Sequence, residues 1–229
     1  MITDIVILLG LGFLLGLEHA FEPDHVVAVS SLIAKHKTLK RTTMLGTLWG
    51  LGHTTTLFLV GIIVLTLKLS IPETIASSLE FIVGIVIILL GIFVIKDVIG
   101  NKKHIHIHTH DNKPHMHFHS HKNTDSHVHY HKSFSVGLIH GMAGSAALML
   151  LVLSTMNSII LGILYILIFG IGSIIGMAIV GGLISLPFIY TSKKSTSINT
   201  GIQYATGIVS IGFGSFLLFK IGYLEGLFF

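Results

Sequence analysis

The sequence predicts an all-α membrane protein with six transmembrane helices arranged as two inverted repeats of three helices. Of its 229 residues, 52% are hydrophobic and only 10% are charged, whereas about a quarter of the residues in soluble domains are charged. Its apolar residues lie in six long runs, and a helix needs about 20 of them to cross a bilayer. We place the spans near residues 4–34, 44–67, 75–99, 134–156, 158–190 and 200–224.

Basic residues mark one side of these spans. Twelve of the 14 lysines and arginines lie in or beside the loops that follow spans one, three and five, and only Lys68 and Lys220 lie on the other side. Because loops rich in lysine and arginine stay in the cytosol, we expect a multi-pass protein of the cell membrane with both termini outside and the long loop in the cytosol. The lysines form no basic patch, so lipid, and not nucleic acid, is the expected partner.

The two halves of the chain resemble each other. Residues 84–93, GIVIILLGIF, match residues 207–216, GIVSIGFGSF, at six of ten positions. In addition, GLEH at 16–19 aligns with GLIH at 137–140. Chance matches between glycine-rich spans are the alternative explanation.

These matches predict the domain organisation. Residues 1–100 form the first three-helix repeat, 101–132 a cytosolic histidine-rich loop, and 133–229 the second repeat. Because each repeat has an odd number of spans, the second must be inverted in the membrane. Secondary transporters built in this way bind their substrates between the repeats, near the middle of the bilayer.

A polar cluster interrupts the first span, where residues 16–25 read GLEHAFEPDH. Pro23 cannot donate to the carbonyl of His19 and disfavours helical geometry at Glu22, so the helix should break there. A break lets Asp24 and His25 converge with His19 on a bound ion, and imidazole suits nickel, cobalt, copper and zinc. The alternative is an interfacial helix cap in which the two carboxylates only solvate a helix end.

Span two adds another histidine within the membrane, in the segment WGLGHTTTLF at residues 49–58. His53 follows Gly50 and Gly52, two small residues that let a neighbouring helix approach closely. An isolated histidine here would be structural and bonded to a nearby threonine. Together with the first cluster, the sequence predicts a metal site made by four residues: His19, Asp24, His25 and His53.

Further polar residues could line an ion pathway. Under the repeat alignment, His140 is the counterpart of His19 and could line the pathway or pack between the repeats. Glu18 and Glu80 could relay protons or be ordinary solvated residues. The full set of pathway candidates is Glu18, Glu22, Glu80, His140, Met142 and Ser145.

The long loop contains eleven of the sixteen histidines. Such a composition is typical of metal-binding segments. Alternating residues around a break at 111–114 allow a hairpin, but disorder without metal is the expectation, and a polar linker without function is the alternative. The loop histidines predicted to bind metal are His104, His106, His108, His110, His115, His117, His119, His121, His127, His129 and His131.

Three segments resemble the nickel/cobalt permease superfamily, which includes relatives associated with urease maturation and nickel efflux. HAFEPDH at 19–25 has the form His-x4-Asp-His, LGHTTTLF at 51–58 resembles the second motif, and GLIHGMAGSAALMLL at 137–151 resembles the fourth span of the urease-accessory-like branch. The resemblance implies that His19, Asp24 and His25 select and carry a divalent metal, assisted by His53. The best-known importing branch has eight spans, so the six predicted here leave the direction of transport open.

The sequence therefore predicts a secondary transporter whose ligand is nickel or cobalt, with zinc as a further option, and which uses no catalytic cofactor. The alternative is a membrane metal sensor or scaffold that transports nothing and docks a cytosolic metallochaperone through the loop. An enzyme is not expected, because no His-Glu-x-x-His motif and no cysteine occur in the sequence.

Overall fold

A computed structural model describes residues 2–68, 72–100, 105–110, 113–118, 128–142 and 158–228. Five of its helices are long and apolar enough to cross a membrane, and the protein is a multi-pass membrane protein. The helices are α1 (Ile2–His19), α2 (Pro23–Ile33), α3 (Leu39–Leu67), α4 (Glu73–Gly100), α5 (Val128–His140), α6 (Ile159–Lys194) and α7 (Thr196–Phe219), with a π-helical turn at Lys220–Leu224. The five candidate spans are α1, α3, α4, α6 and α7 with its π-helical turn.

The predicted first span is two helices. α1 ends at His19, residues 20–22 form a turn, and α2 begins at Pro23. Proline suits the first turn of a helix because its missing N–H would have no partner there. The single span predicted at 4–34 is thus corrected, while the predicted break at Pro23 is present.

The predicted fourth span differs from the helix that the structure contains. α5 covers 13 residues, Val128–His140, and begins six residues before the predicted start. It is not among the five candidate spans in the described part of the chain. Residues 143–157, which hold most of the prediction at 134–156, lie outside the described residues.

Two strands lie within the histidine-rich segment. β1 (Ile105–His110) pairs antiparallel with β2 (Lys113–Phe118), so that His106 is opposite His117 and His108 is opposite His115. The expectation of disorder is therefore wrong for these twelve residues. Histidines alternating with β-forming residues on both sides of a two-residue connection favour a hairpin.

The helices pack against one another in pairs. α3 lies along α6 and α4 along α7, each pair antiparallel, while α1 packs parallel to α6 and α5 parallel to α3. In the α4–α7 pair, Gly84 lies against the carbonyl of Gly214, and Gly91 lies against that of Gly207. A Cβ at these glycines would clash with the facing helix, so the two backbones approach closely only because the side chains are absent.

The α1–α6 and α5–α3 pairs use the same device. Gly16 of α1 lies against the carbonyl of Phe169, and Gly137 of α5 lies against the carbonyl of Trp49. These two glycines hold α1 and α5 tightly on opposite ends of the α3–α6 pair. The turn after α1 and the end of α5 are thereby brought to the middle of the molecule.

Residues 101–127 follow the end of α4 at Gly100. We call this end of the molecule the loop side. An ion pair of 3.0 Å between Lys35 and Asp97 joins the end of α2 to the end of α4 there. Because α3 and α4 form an antiparallel hairpin, the first turn of α3 also lies on this side. α5 runs parallel to α3 and therefore starts on the loop side too.

Candidate metal centre

Four histidines and one aspartate converge where α1, α2, α3 and α5 meet. Two sets of three have ligand atoms within 4.8 Å of one another, His19 with His25 and His53, and Asp24 with His25 and His140. All four imidazoles are at most 4% exposed. We call these five residues the histidine cluster: His19, Asp24, His25, His53 and His140.

The cluster lies at the middle of the spanning region. His53 is fourteen residues from both Leu39 and Leu67, the ends of α3. At a rise of about 1.5 Å per residue, it is roughly 21 Å from either end of the helix. Ionisable groups at this depth are costly and need partners, so their presence marks a functional site.

Two imidazole nitrogens of the cluster are close enough to share one ion. The Nε2 atoms of His19 and His53 are 3.1 Å apart. This separation is that of a hydrogen bond between the two rings, and with metal–nitrogen bonds of about 2.1 Å both nitrogens can reach one ion. Imidazole ligands suit nickel, cobalt, copper and zinc.

Two carboxylates fix the orientation of two histidines. The Nδ1 atom of His25 lies 2.9 Å from Oδ1 of Asp24, and Nδ1 of His19 lies 3.0 Å from Oε1 of Glu22. When Nδ1 donates its hydrogen to the carboxylate, the lone pair on Nε2 is free for a metal. Histidine ligands of metals are commonly held by such carboxylates.

Asp24 also connects the cluster to α5. Its Oδ2 lies 2.8 Å from Nε2 of His140, so both carboxylate oxygens contact imidazoles. The structure therefore places Asp24 behind His25 as an orienting group. His25 Nε2, His53 Nδ1 and His140 Nδ1 are buried with no hydrogen-bond partner among the described residues. We take His19, His25 and His53 as the better candidate ligand set, because both oxygens of Asp24 already contact imidazoles.

Aromatic residues that the sequence did not single out border the cluster. The ring of Trp49 lies 5.3 Å from His25 and 5.2 Å from His140, and the ring of Phe169 lies 5.6 Å from His19. Trp49 is one turn before His53 in the quoted segment, and this spacing was the available signal. Phe169 has no comparable signal, because aromatic residues are common in apolar helices.

The remaining pathway candidates lie in several places. Glu22 contacts the cluster through His19. Glu18 is exposed on α1, Glu80 is partly buried on α4, and Met142, which follows α5, is 37% exposed. Ser145 lies outside the described residues. Glu18, Glu80 and Met142 belong to neither of the two candidate ligand sets in the described part of the chain.

The loop histidines also fall into groups. His106, His108, His110, His115 and His117 are in the two strands, while His129 and the exposed His131 are in α5. The others lie outside the described residues: His104, His119, His121 and His127.

Comparisons with known proteins agree with the sequence motifs. A family model described as "Cytochrome C biogenesis protein transmembrane region" matches residues 25–216. The urease accessory protein UreH of Bacillus sp. (strain TB-90) is 41% identical over 226 residues, covering 99% of this chain and 96% of the relative. The chain belongs to the family of membrane proteins that this family model describes. The resemblance to the nickel/cobalt permease superfamily and its urease-accessory branch is thereby confirmed.

Similar proteins also occur in an archaeon and a plant. A Methanocaldococcus jannaschii protein named "Putative nickel/cobalt efflux system" is 29% identical over 173 residues, covering 73% of this chain and 72% of the relative. The Arabidopsis thaliana "Chloroplast protein FOR GROWTH AND FERTILITY 2" is 24% identical over 214 residues, which are 93% of this chain and 56% of that protein. No solved structure matches.

Proposed function

We propose that the protein is a secondary transporter of divalent transition-metal ions, with nickel or cobalt as its substrate. The observation that carries this proposal is the convergence of His19, His25 and His53 at the middle of the spanning region, with two of them oriented by carboxylates. One relative is named a urease accessory protein and another a putative nickel/cobalt efflux system, and the second name supports the same class of substrate.

The ligand set supports the choice of ion. Imidazole nitrogens bind nickel, cobalt, copper and zinc, while magnesium and calcium prefer oxygen. The name of one relative refers to nickel and cobalt, so these two ions are the proposed cargo, and zinc is the competing ion to test.

The paired contacts support the inverted 3+3 repeat. In the repeat alignment, a residue of α1 corresponds to the residue 121 positions later, and a residue of α3 to the residue 120 positions later. Gly16 thus corresponds to Gly137, and Trp49 to Phe169. The contact of Gly16 with Phe169 and that of Gly137 with Trp49 are therefore equivalent, and both are present. Two residues that contact each other across a two-fold axis must have counterparts that do the same. The proposed units are 1–100, the loop 101–132, and 133–229, and movement of one repeat against the other would expose the cluster to each side in turn.

The helices α4 and α7, which correspond to each other in the two repeats, give a second example. The contact of Gly84 with Gly214 corresponds to that of Gly207 with Gly91, and both are again present. Residues 84–93 and 207–216 were the strongest sequence match, so the same positions carry the similarity and the reciprocal packing.

The proposed orientation follows from the distribution of lysine and arginine. Both termini lie outside the cell membrane, and the histidine-rich loop lies in the cytosol. Its histidines either collect metal for export through the cluster or accept metal that the cluster has imported. They are also the proposed docking point for a cytosolic metallochaperone. Membrane lipid surrounds the spanning helices.

Flux measurements in vesicles test the proposal. Purified protein in proteoliposomes is expected to move nickel or cobalt faster than zinc when a proton or sodium gradient is imposed, with each gradient tested in turn. The result reports the substrate, the direction and the coupling ion together. Protein that binds nickel but moves no ion under any gradient would contradict transport and indicate a scaffold.

After removal of the histidine-rich loop, we expect the protein still to transport nickel, but with a lower apparent affinity for the ion. Residues 104–127 are replaced by a glycine–serine linker of equal length, which keeps α5 whole because it begins at Val128. We expect the half-saturating nickel concentration on the loop side to rise several-fold, since the loop imidazoles no longer concentrate the ion there. Complete loss of flux in a folded variant would show that the loop belongs to the pathway itself.

A further inference from the structure

Two aromatic residues lie on opposite sides of the histidine cluster. Trp49 is ten residues into α3 from the loop side, and Phe169 is ten residues into α6. Since α3 and α6 are antiparallel, with Gly46 against Met177 and Gly170 against Thr54, α6 begins on the side opposite the loop. Each aromatic ring is thus about 15 Å from its own end of the bundle.

Each ring covers a different imidazole of the cluster. Trp49 lies 5.2 Å from His140, and Phe169 lies 5.6 Å from His19, measured between ring centroids. Trp49 and Phe169 are 120 positions apart and His19 and His140 are 121 apart, so the two aromatic contacts correspond under the proposed repeat. The ion site therefore has one aromatic neighbour toward each side.

On the loop side, a cavity of about 620 Å³ reaches the layer of Trp49. Leu45, one turn before Trp49 on α3, lines it together with Val136 and Ile139 of α5. Because Ile139 adjoins His140, and the Trp49 ring lies 5.2 Å from His140, this loop-side cavity ends beside the cluster at the level of Trp49. Six waters occupy about 180 Å³ of liquid volume, so a hydrated ion fits into the cavity.

The rim of the loop-side cavity is polar. Lys35 and Asp97 form their ion pair there, and the other polar residues that line the cavity are Ser31, His36, His131, Lys132, Ser135 and Gln203. The charges of Lys35 and Asp97 offset each other, and Lys132 adds a positive charge. Among these groups, the histidines and the carboxylate can bind a divalent cation.

On the opposite side, Phe169 belongs to a closed apolar cluster. It packs with Leu57, Tyr165 and Ile166, which are all at most 2% exposed. Gly12 of α1 lies directly against the ring of Tyr165. Within the described residues, a cavity thus extends from the loop side to Leu45 and Ile139, whereas apolar side chains pack around Phe169 on the opposite side.

We propose that Trp49 and Phe169 are the two gates of the ion pathway, Trp49 toward the loop side and Phe169 toward the opposite side. This inference rests on the proposed transport function. Displacement of the Trp49 indole joins the cluster to the loop-side cavity. Its Nε1 has no hydrogen-bond partner within the described ranges, so this movement breaks no hydrogen bond.

A single cysteine near the cluster tests the two gates. The chain has no cysteine of its own. Ser173, one turn beyond Phe169, is fully buried, and its hydroxyl has no hydrogen-bond partner among the described residues. The variant Ser173→Cys is reconstituted in oriented vesicles, and a membrane-impermeant thiol reagent is added to one side at a time. We expect slow modification from both sides in this parent protein.

The gate variants should raise the modification rate from one side only. Adding Trp49→Ala to the parent is expected to raise the rate at least tenfold from the loop side, and adding Phe169→Ala should do so from the opposite side. Trp49→Leu, which retains more apolar volume, should raise the loop-side rate at least threefold if the alanine variant does not fold. Phe216→Ala, which removes a 55% exposed ring from α7, should change neither rate.

The outcomes distinguish a failure of the gate proposal from a failure of the transport proposal. Equal rates from both sides in each folded gate variant, or no increase at all, would overturn the gates even when the parent protein moves nickel. One-sided increases in a protein that moves no nickel would support the gates and contradict transport. The thiol readout needs no bound metal, so the two failures are distinguishable.

Discussion

The His25→Ala variant is expected to lose nickel transport, at least 100-fold, while the protein remains folded in the membrane. His25 belongs to both candidate ligand sets, and its unpartnered Nε2 faces the site while Nδ1 contacts Asp24. Loss of a residue that only orients a ligand typically costs 10- to 100-fold in metal affinity or activity. Loss of the shared ligand should cost more.

Nickel flux into proteoliposomes measures this effect, with protein content and gel filtration as checks on folding. His19→Ala should lose transport to a similar extent, because it removes the nitrogen that faces His53. Thr55→Ala is the matched control, since Thr55 is exposed on α3 two residues from His53 and its loss should leave the flux unchanged. Near-normal flux in both histidine variants would disprove the ligand assignment.

A methyl group added at Gly16 is expected to destabilise the fold severely, while the same change at Gly10 has little effect. Gly16 lies directly against the carbonyl of Phe169, whereas no neighbouring atom of the described residues lies within 4 Å of a Cβ at Gly10 on the same helix. Overpacking costs about 1–3 kcal/mol and occasionally more. Because His19 is three residues from Gly16, displacement of α1 should also weaken nickel binding.

Thermal unfolding in detergent compares the two alanine variants directly. We expect a clearly lower midpoint for Gly16→Ala and a midpoint close to that of the parent for Gly10→Ala. Under the repeat, Gly137→Ala should behave as Gly16→Ala does, since Gly137 lies against the carbonyl of Trp49. Equal midpoints for Gly10→Ala and Gly16→Ala would contradict the close packing of α1 on α6.

Much of the fold could be predicted from the sequence because lipid imposes long apolar helices. The break before α2 was predictable since proline has a fixed local effect at residue 23. The end of α5 at His140 was not, because small and apolar residues continue on both sides of His140 and hydropathy gives no boundary there. The hairpin at 105–118 competed with disorder, and alternation of residue type alone does not decide between the two.

The candidate site was predictable to the extent that its residues are unusual in a membrane. His19, Asp24, His25 and His53 stand out because ionisable groups are rare there. The contact of His140 with Asp24 joins positions 116 residues apart, and only the packing of α5 on α3 produces it. The orienting role of Asp24 and the positions of the two gates likewise depend on tertiary geometry.

Anomalous diffraction at the nickel absorption edge, from crystals of the full chain grown with saturating nickel, tests the central claim most directly. The account predicts one peak inside the cluster, about 2.1 Å from Nε2 of both His19 and His53 and beside Nε2 of His25. Peaks confined to the histidine-rich loop, with no density among these three imidazoles, would contradict it.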